Sequence, residues 1–346
     1  MTWGNQPAID GAVLGSVAAV RNTDYYEWDV TRVVKGNGTY SFALTCTACA
    51  SRYNSSEAGG NRPYLILVFA QEPLSPITAA SDPVLAGAGD IAACSSAGDE
   101  ATARLLDDIP GSIFTAGDNA YPNGSTTDFL NCYEPTWGRH LSRTRPAVGN
   151  HEYYTSGAVG YFWYFGDIAG DSAKGYYSYN LGNWHMIVLN SNCSKVGGCN
   201  PGSPQDLWLR EDLEANPREC TLAYWHHPRF SSGLTHGSQL SMRNFWRALY
   251  DADADVVIGG HDHLYERFAP QDPSGVTDLI RGIREFVVGS GGSSLYKFAT
   301  PIANSEARSN TTYGVLKLVL HPTSYEWEFI PITGGAFTDS GKGVCH

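Results

Sequence analysis

Five short polar clusters in this chain each follow directly on a short apolar segment, and this repeated arrangement constrains the fold more than any other feature. The clusters are Gly89-Asp90, Gly117-Asp118-Asn119-Ala120-Tyr121, Gly149-Asn150-His151-Glu152, Trp225-His226-His227-Pro228 and Gly260-His261-Asp262-His263. The apolar segments before them have the length and composition of buried strands. Because loops at the carboxyl edge of an α/β sheet converge, we expect these clusters to meet in one cleft.

Strands alternate with helices after residue 83, whereas residues 71–83 carry three prolines and mark a domain boundary. Strands are predicted at residues 84–88, 112–115, 184–189, 221–225, 256–258, 285–288, 315–320 and 325–330, and a further strand is predicted to end at residues 147–148. Helices are predicted at 99–109, at 204–216 and around a stripe of Met242, Phe245, Trp246 and Leu249. The pattern predicts an α/β architecture of two β-sheets faced by helices.

The side chains of the five clusters combine carboxylate and amide oxygens, imidazole nitrogens and one phenol. This mixture suits two adjacent transition-metal ions, and one Asp that bridges them is the simplest way to hold a pair about 3.5–4 Å apart. Structural zinc would instead be enclosed by thiolates. Each cluster taken alone is more often structural, but five in this order favour a metal site.

The ordered clusters resemble those of the calcineurin-like metallophosphoesterases, and among them the purple acid phosphatase branch, over residues 83–346. The resemblance implies a four-layer αββα sandwich with a dinuclear site on its loops. It implies one metal ion held by Asp90, Asp118, Tyr121 and His263, and a second held by Asp118 as the bridge, Asn150, His226 and His261. His226 is preferred to His227 because it lies two residues before Pro228, as in the family pattern.

Tyr121 indicates which metal ions to expect. Many family members carry a His in the first cluster, whereas Ile91 and Ala92 follow Asp90 in this chain. Tyr121 is placed as in the purple acid phosphatases to fill that vacancy with a phenolate, a donor that favours trivalent iron. The resemblance implies two metal ions, Fe(III) plus Zn, Mn or Fe(II); an aromatic wall is the alternative role for Tyr121.

Three further residues are candidates for catalytic roles. His151 resembles a second-sphere histidine of the family, and we expect it to hold a phosphate oxygen or to protonate the leaving alkoxide, with Glu152 orienting it. His236 lies where the family places substrate-binding histidines, although an exposed loop position is the alternative. Arg267 is expected to pair with a carboxylate, and Arg229 is a weaker candidate for contact with phosphate.

The amino-terminal segment has a different character, because strands are predicted at residues 27–34, 40–44 and 64–70 with no periodic helix. Segments at 36–44 and 62–65 resemble the later half of DNRLRE-type jelly-roll modules, some of which are associated with polysaccharide binding. The resemblance implies a small all-β module and linker at residues 1–80, before the catalytic domain at 83–346. Because the match begins in the middle of such a module, an incomplete sandwich and an edge supplied by a partner are alternatives. Structural support and polysaccharide contact are its two alternative roles.

Eight cysteines are spread over the chain, at positions 46, 49, 94, 132, 193, 199, 220 and 345. An even, dispersed set is typical of disulfides in an exported protein, so we expect a secreted or extracellular location. We predict the pairs Cys94 with Cys132, Cys193 with Cys199, and Cys220 with Cys345, and buried free thiols are the alternative.

Charge and hydropathy argue against several classes of protein. The net charge of −12 and the 42% hydrophobic content argue against a disordered chain and a general nucleic-acid binder, so nucleic acid is expected only as a substrate. No apolar run approaches the roughly 20 residues that span a bilayer, and no membrane contact is expected. We expect an exported, acid phosphatase-like phosphomonoesterase that hydrolyses small phosphate esters with a metal-bridging hydroxide. The alternatives are a phosphodiesterase on the same metals and a glycan-binding protein with an inactive phosphatase-like domain.

Overall fold

A computed structural model describes residues 82–346, which belong to the second of the two structural units of the chain. The strands and the jelly-roll module predicted for the first 80 residues lie outside the described residues, as do Cys46 and Cys49.

Two mixed β-sheets occupy the centre of this unit. Within residues 82–346 the strands are β1 (Val84–Ala88), β2 (Ser112–Ala116), β3 (Thr144–Ala147), β4 (Tyr177–Leu181), β5 (Trp184–Val188), β6 (Cys220–Tyr224), β7 (Val256–Gly259), β8 (Tyr265–Phe268), β9 (Arg284–Val288), β10 (Ser305–Ser309), β11 (Gly314–Leu320), β12 (Ser324–Pro331) and β13 (Asp339–Val344). The six-stranded sheet has the order β13-β12-β11-β1-β2-β3, and the seven-stranded sheet has the order β10-β8-β9-β7-β6-β5-β4.

Parallel strands form the part of each sheet that carries the polar clusters. β1, β2 and β3 run parallel in the six-stranded sheet, and β5, β6, β7 and β9 run parallel in the seven-stranded sheet. The five clusters follow β1, β2, β3, β6 and β7. Their loops therefore leave from carboxyl ends of parallel strands, where side chains distant in sequence meet.

Helices connect these strands. The α-helices are α1 (Gly98–Asp108), α2 (Thr126–Asp128), α3 (Val159–Phe165), α4 (Pro204–Ala215) and α5 (Arg243–Asp251). A π-helical turn covers Phe129–Tyr133, and 3-10 segments cover Trp137–Arg143, Glu152–Tyr154, Ser156–Ala158, Gly166–Ala169, Cys193–Lys195 and Leu240–Met242. Among the residues that the structure describes, no helix is both long and apolar enough to cross a bilayer.

The inner faces of the two sheets share one apolar core. Leu222 of β6 and Val256 of β7 are fully buried in the same cluster as Leu85 of β1 and Leu316 of β11. Since side chains alternate between the faces of a strand, the neighbours of Leu222 and Val256 point away from this core. The sheets therefore pack face to face.

The outer faces are covered by helices. Ala223 and Val257, the neighbours of the inward residues on β6 and β7, lie in a second buried cluster with Leu209 of α4 and Trp246 of α5. On the other side of the sandwich, α1 lies against β11. The layers are thus helix, sheet, sheet and helix, which confirms the predicted αββα architecture.

The predicted elements agree best where the apolar pattern is strongest. The strand predicted at 84–88 is Val84–Ala88, and the helices predicted at 99–109 and 204–216 are Gly98–Asp108 and Pro204–Ala215. Strands β4, β8, β10 and β13 were not predicted. β13 shows the reason, because this edge strand alternates exposed polar residues with Gly341 and Gly343 and has no apolar face.

Three disulfides confirm the predicted cysteine pairs, which are Cys94–Cys132, Cys193–Cys199 and Cys220–Cys345. The alternative of free thiols is wrong for these six cysteines. The third bond joins the first residue of β6 to the residue after β13, and it therefore links the seven-stranded sheet to the six-stranded sheet.

Candidate metal centre

Three of the predicted ligands adopt the left-handed backbone conformation at the ends of their strands. The φ angles are 58° for Asp90, 49° for Asp118 and 69° for His261. For residues other than glycine this conformation costs about 1–3 kcal/mol, and it persists only where the surrounding structure enforces it. Backbone strain is therefore concentrated at the ends of β1, β2 and β7, where the polar clusters begin.

The first group of predicted ligands gathers around the hydroxyl of Tyr121. This oxygen lies 2.9 Å from Asp90 Oδ1, 3.1 Å from Asp118 Oδ2 and 3.1 Å from His263 Nε2. All four side chains are buried. The four donors that the resemblance assigns to one ion thus meet at one point.

The second group gathers around Nε2 of His226. This nitrogen lies 3.2 Å from Asp118 Oδ2, 3.0 Å from Asn150 Oδ1 and 3.1 Å from His261 Nδ1. Asp118, His226 and His261 offer ligand atoms that all lie within 4.8 Å of one another. The same oxygen of Asp118 approaches both groups, which is the placement that a bridging carboxylate requires.

Backbone carbonyls fix the orientation of two of these imidazoles. Nδ1 of His226 donates to the carbonyl of Ala116 at 2.8 Å, and Nδ1 of His263 donates to the carbonyl of Ser294 at 2.7 Å. In the neutral form of each ring, Nε2 is therefore unprotonated and faces the cluster. This arrangement orients histidines for metal binding in proteins.

Glycines allow the loops to approach one another closely. A Cβ atom on Gly149 would collide with the backbone nitrogen and Oδ1 of Asp118, and one on Gly260 would lie 2.8 Å from Asp90 Oδ2. Glycine is therefore required before Asn150 and His261, because no side chain fits there.

The charges of the protein alone make the cluster attractive to cations. Burial opposes the charged form of Asp118, but His226 and the backbone N–H of His151 outweigh it and lower the pKa of that carboxyl. Burial also disfavours the charged form of His226, but Asp118 raises the pKa of that ring to about 9. Burial, with Asp118 and Asp90 beside the phenol, raises the pKa of Tyr121 well above its usual value. A metal cation would act in the opposite sense on Tyr121 and favour the phenolate.

The structure places His151 at the rim of the cluster and Glu152 beneath it. His151 Nε2 lies 3.8 Å from Asp118 Oδ2, and its Nδ1 donates to the carbonyl of Pro122 at 2.6 Å. The expectation that Glu152 orients His151 is therefore wrong, since a backbone carbonyl does so.

Glu152 is a fully buried carboxylate that accepts four backbone hydrogen bonds. Its donors are the amides of Asp118 (3.1 Å), Asn119 (2.7 Å), Ala120 (3.3 Å) and Gly149 (2.7 Å). These amides belong to the loops after β2 and β3. Glu152 is therefore a positioning residue that joins two ligand-bearing loops, and the expected catalytic role is not supported.

His236 lies beside the second group of donors, on an exposed part of its loop. Its ring stacks on His261 with centroids 3.9 Å apart. Asp262, which sequence reasoning missed, holds this loop: its buried carboxylate accepts from Ser231 Oγ at 2.6 Å and from the amides of His236 and Gly237 at 3.2 and 2.9 Å. The position of Asp262 between two predicted ligands was the available signal.

The remaining candidates make their polar contacts outside the two groups of ligands, although the ring of His227 packs against that of His261 with centroids 4.3 Å apart. His227 Nδ1 lies 2.7 Å from Ser191 Oγ, which supports the choice of His226 over His227. Arg229 is buried and donates to the carbonyl of Pro273, so the structure does not support its predicted phosphate contact. Arg267 pairs with Asp339 at 2.7 Å, which confirms that it binds a carboxylate.

Two further buried carboxylates, also missed, hold the loop between His226 and His236. Glu285 accepts from the amides of Arg229 and Phe230 at 2.8 and 2.9 Å, and Glu266 accepts from the amide of Ser232 at 2.7 Å. Burial raises the pKa of Glu285 to about 8. An acidic residue at the start of an otherwise apolar strand was the signal for Glu285.

Residues 161–165 form an uninterrupted aromatic run. Tyr161 and Phe165 are buried, and Phe162 and Tyr164 pack against the same core. Trp163 alone in this run is exposed. The run is therefore mainly core.

A two-sheet αββα sandwich whose loops gather carboxylates, a phenol, an amide and imidazoles at one edge defines the class of the metallophosphoesterases. Residues 75–265 match the family model described as Calcineurin-like phosphoesterase. The chain belongs to this family, as the ordered clusters predicted. Membership implies a dinuclear metal site.

Purple acid phosphatases are among the curated relatives. The chain is 27% identical over 200 residues to purple acid phosphatase 15 of Arabidopsis thaliana and 31% identical over 167 residues to probable purple acid phosphatase 20 of the same plant. These matches cover 47% and 41% of this chain and 37% and 38% of the relatives. The chain therefore spans less than two fifths of the length of these relatives.

Solved structures support the fold. A purple acid phosphatase from yellow lupin (Lupinus luteus) seeds superposes with a TM-score of 0.62 at 19% identity, covering 76% of this chain and 53% of its own. GAP50, described as the anchor in the inner membrane complex of Plasmodium, superposes with a TM-score of 0.60 at 16% identity, covering 77% and 90%. Proteins with different descriptions share this architecture, so the site must carry the functional argument.

The amino-terminal segment matches a second family. Residues 1–69 match the model described as Carbohydrate-binding module family 96. This match is compatible with the jelly-roll resemblance of the segment.

Proposed function

We propose that this chain is an acid phosphatase-like phosphomonoesterase with two metal ions at the cluster described above. One observation carries the proposal: Asp118 Oδ2 lies 3.1 Å from the hydroxyl of Tyr121 and 3.2 Å from His226 Nε2. This carboxylate oxygen lies between the group of ligands around Tyr121 and the group around His226. A carboxylate in that position can be shared by two cations.

The donor set fits two different ions. The proposed ligands of the first ion are Asp90, Asp118, Tyr121 and His263, and those of the second are Asp118, Asn150, His226 and His261. A phenolate with two carboxylates favours Fe(III), whereas two imidazoles and an amide oxygen favour a divalent ion such as Zn, Mn or Fe(II). When bound, the ions supply the positive charge that attracts phosphate and the acidified water that attacks phosphorus.

Two histidines are proposed to act on the substrate. His151 retains some exposure, and its ring orientation is fixed by the carbonyl of Pro122, so its Nε2 can hold a phosphate oxygen or protonate the leaving alkoxide. His236 is exposed on the side of His261, and its loop is fixed by Asp262. The two histidines thus flank the donors from different loops.

Substitution of the shared carboxylate tests the proposal. Asp118→Asn should lower kcat for a chromogenic phosphate monoester at least about 10³-fold and reduce the metal content, because the amide loses the charge that two cations share. The control is Asp251→Asn, an exposed aspartate on α5, which should behave as wild type. Undiminished activity and metal content in Asp118→Asn would refute the metal assignment. Faster turnover of a bis-ester than of the monoester would favour the phosphodiesterase alternative.

The identity of the metal ions has a separate test. Elemental analysis of untreated protein should find iron together with Zn, Mn or further iron. A visible absorption band from tyrosinate-to-iron charge transfer should accompany the iron and disappear in Tyr121→Phe. A colourless iron-containing wild type would contradict the proposed phenolate ligand.

Export and polysaccharide contact are proposed for the whole chain. Three disulfides within residues 82–346 are typical of an oxidising compartment. The family match of residues 1–69 favours contact with a polysaccharide. Affinity electrophoresis of the full chain in gels with acidic or neutral polysaccharides should show retardation relative to serum albumin, and equal mobility in every gel would contradict this role.

A further inference from the structure

Three aromatic rings form a row that extends from the proposed metal ligands to solvent. The rings of Tyr121 and His151 have centroids 4.4 Å apart, and those of His151 and Tyr154 have centroids 4.6 Å apart. Tyr121 is buried, whereas Tyr154 is 63% exposed. The row therefore begins at the proposed metal ligands and ends in an aromatic ring that solvent can reach.

Each ring in this row is held in place. The hydroxyl of Tyr121 lies within the donor cluster, and the carbonyl of Pro122 fixes His151. Tyr154 ends a 3-10 segment in which its amide donates to the carbonyl of His151 at 3.2 Å. The next residue, Thr155, is anchored to the carbonyl of Asn123 through both its amide and its hydroxyl. A stacking partner therefore meets a ring whose backbone is already ordered, which reduces the entropic cost of binding.

The exposure of Tyr154 is unusual in this unit. Within residues 82–346, Tyr154 and Trp163 are the only Tyr, Trp or Phe side chains that are more than half exposed. Tyr154 contacts His151, which is the residue proposed to meet the leaving group. An ordered aromatic face beside a polar site binds flat rings by stacking.

We propose that Tyr154 is a specificity-determining residue that selects phosphate monoesters whose alcohol carries a flat aromatic ring, such as aryl esters and nucleotides. This inference rests on the proposed function, because it assumes that the phosphate group binds at the donor cluster. The leaving alcohol then lies on the side of His151, and its ring stacks on Tyr154. Small aliphatic alcohols have no ring that can stack on this face.

Kinetics on paired substrates test this inference. Phosphate release is measured for 1-naphthyl phosphate and adenosine 5′-monophosphate, and for glycerol phosphate and ribose 5-phosphate as their non-aromatic counterparts. Tyr154→Leu should lower kcat/KM about tenfold for the first two and change it less than about twofold for the others. Tyr154→Phe keeps the ring and should retain the preference. Tyr250→Leu, which alters a tyrosine at the end of α5, is the matched control.

Binding provides a readout that does not depend on turnover. Calorimetric titration of the metal-loaded protein with 1-naphthylmethylphosphonate and with methylphosphonate should show a roughly tenfold weaker Kd for the naphthyl compound alone in Tyr154→Leu. Equal losses for both compounds, or no loss for either, would overturn the inference. If no ester is hydrolysed but the selective loss of binding remains, the proposed function fails while the stacking role of Tyr154 stands.

Discussion

The two sheets contribute different chemistry to the same site. Loops of the six-stranded sheet carry the oxygen donors Asp90, Asp118, Tyr121 and Asn150, which we call the oxygen half. Loops of the seven-stranded sheet carry the imidazoles His226, His261 and His263, which we call the nitrogen half. Neither sheet alone holds a complete set for either ion. The site therefore forms only where the two sheets meet.

The halves also differ in how they are held. Glu152 alone binds four backbone amides in two loops of the oxygen half. In the nitrogen half, Asp262, Glu266 and Glu285 bind successive parts of the loop between His226 and His236. One carboxylate therefore holds the loops of the oxygen half, whereas three carboxylates share this role in the nitrogen half. Single substitutions should therefore have unequal effects.

The largest effect is expected for Glu152→Ala. The substitution leaves four buried amides without their acceptor, so the free energy of unfolding should fall by more than about 3 kcal/mol. Urea denaturation measures the change, and Glu214→Ala, on the exposed face of α4, is the control. A loss below about 1 kcal/mol would show that support in the oxygen half is not concentrated in Glu152.

A smaller effect is expected for Asp262→Ala. Ser231 and the amides of His236 and Gly237 lose their acceptor, but Glu266 and Glu285 continue to hold the rest of the loop. We expect a loss of about 1–2 kcal/mol in the free energy of unfolding. Hydrogen exchange should become faster at residues 231–237 and remain unchanged at 118–120. Exchange that rises equally in both loops would contradict independent support of the two halves.

A pH dependence is expected from Glu285. Burial raises the pKa of this carboxyl from 4.5 to about 8, so the folded state binds a proton that the unfolded state has lost between these values. The contribution of Glu285 to the free energy of unfolding therefore falls as the pH rises from about 4.5 to about 8 and is constant on either side.

Glu285→Gln tests this dependence by removing the titrating group. The variant should lose about 1–2 kcal/mol at pH 5, since one amide of the loop loses a good acceptor. Its stability should then decline less than that of wild type between pH 5 and pH 8 in urea denaturation. Parallel pH profiles for the two proteins would refute the raised pKa.

The smallest effect is expected for His227→Ala. His227 contacts Ser191 and lies outside both groups of donors, so the variant should retain both metal ions and lose less than about 1 kcal/mol of stability. His226→Ala should lose metal, as elemental analysis would show. Loss of metal in His227→Ala and not in His226→Ala would show that His227 is the metal ligand.

The sequence predicted the donors better than it predicted their supports. Asp118 and His226 are recognisable because their side-chain chemistry and their positions after strands both point to a cation. Glu152 was assigned to the wrong task because its role depends on amides of two other loops, and backbone groups leave no trace in the sequence. Asp262 and Glu285 were missed for the same reason.

The fold shows a similar limit. Strands buried on both faces, such as β5 and β6, carry a continuous apolar signal and were predicted. Edge strands such as β4 and β13 form by pairing with one neighbouring strand. Their own residues show only a weak strand pattern, so the sequence does not reveal them. Of the four strands that were not predicted, β4, β10 and β13 are therefore edge strands, and β8 lies next to the edge.

The disulfide between Cys220 and Cys345 joins the two sheets at one end of the sandwich, and the proposed metal ligands lie at the other end. Cys220 begins β6, whereas His226 follows the other end of that strand, so the covalent link lies far along β6 from the donors. In an oxidising medium the disulfide holds the two sheets together at the bonded end, so any separation of the sheets must begin at the edge that carries the proposed metal ligands. A reducing medium would remove this asymmetry and let the layers part from either end.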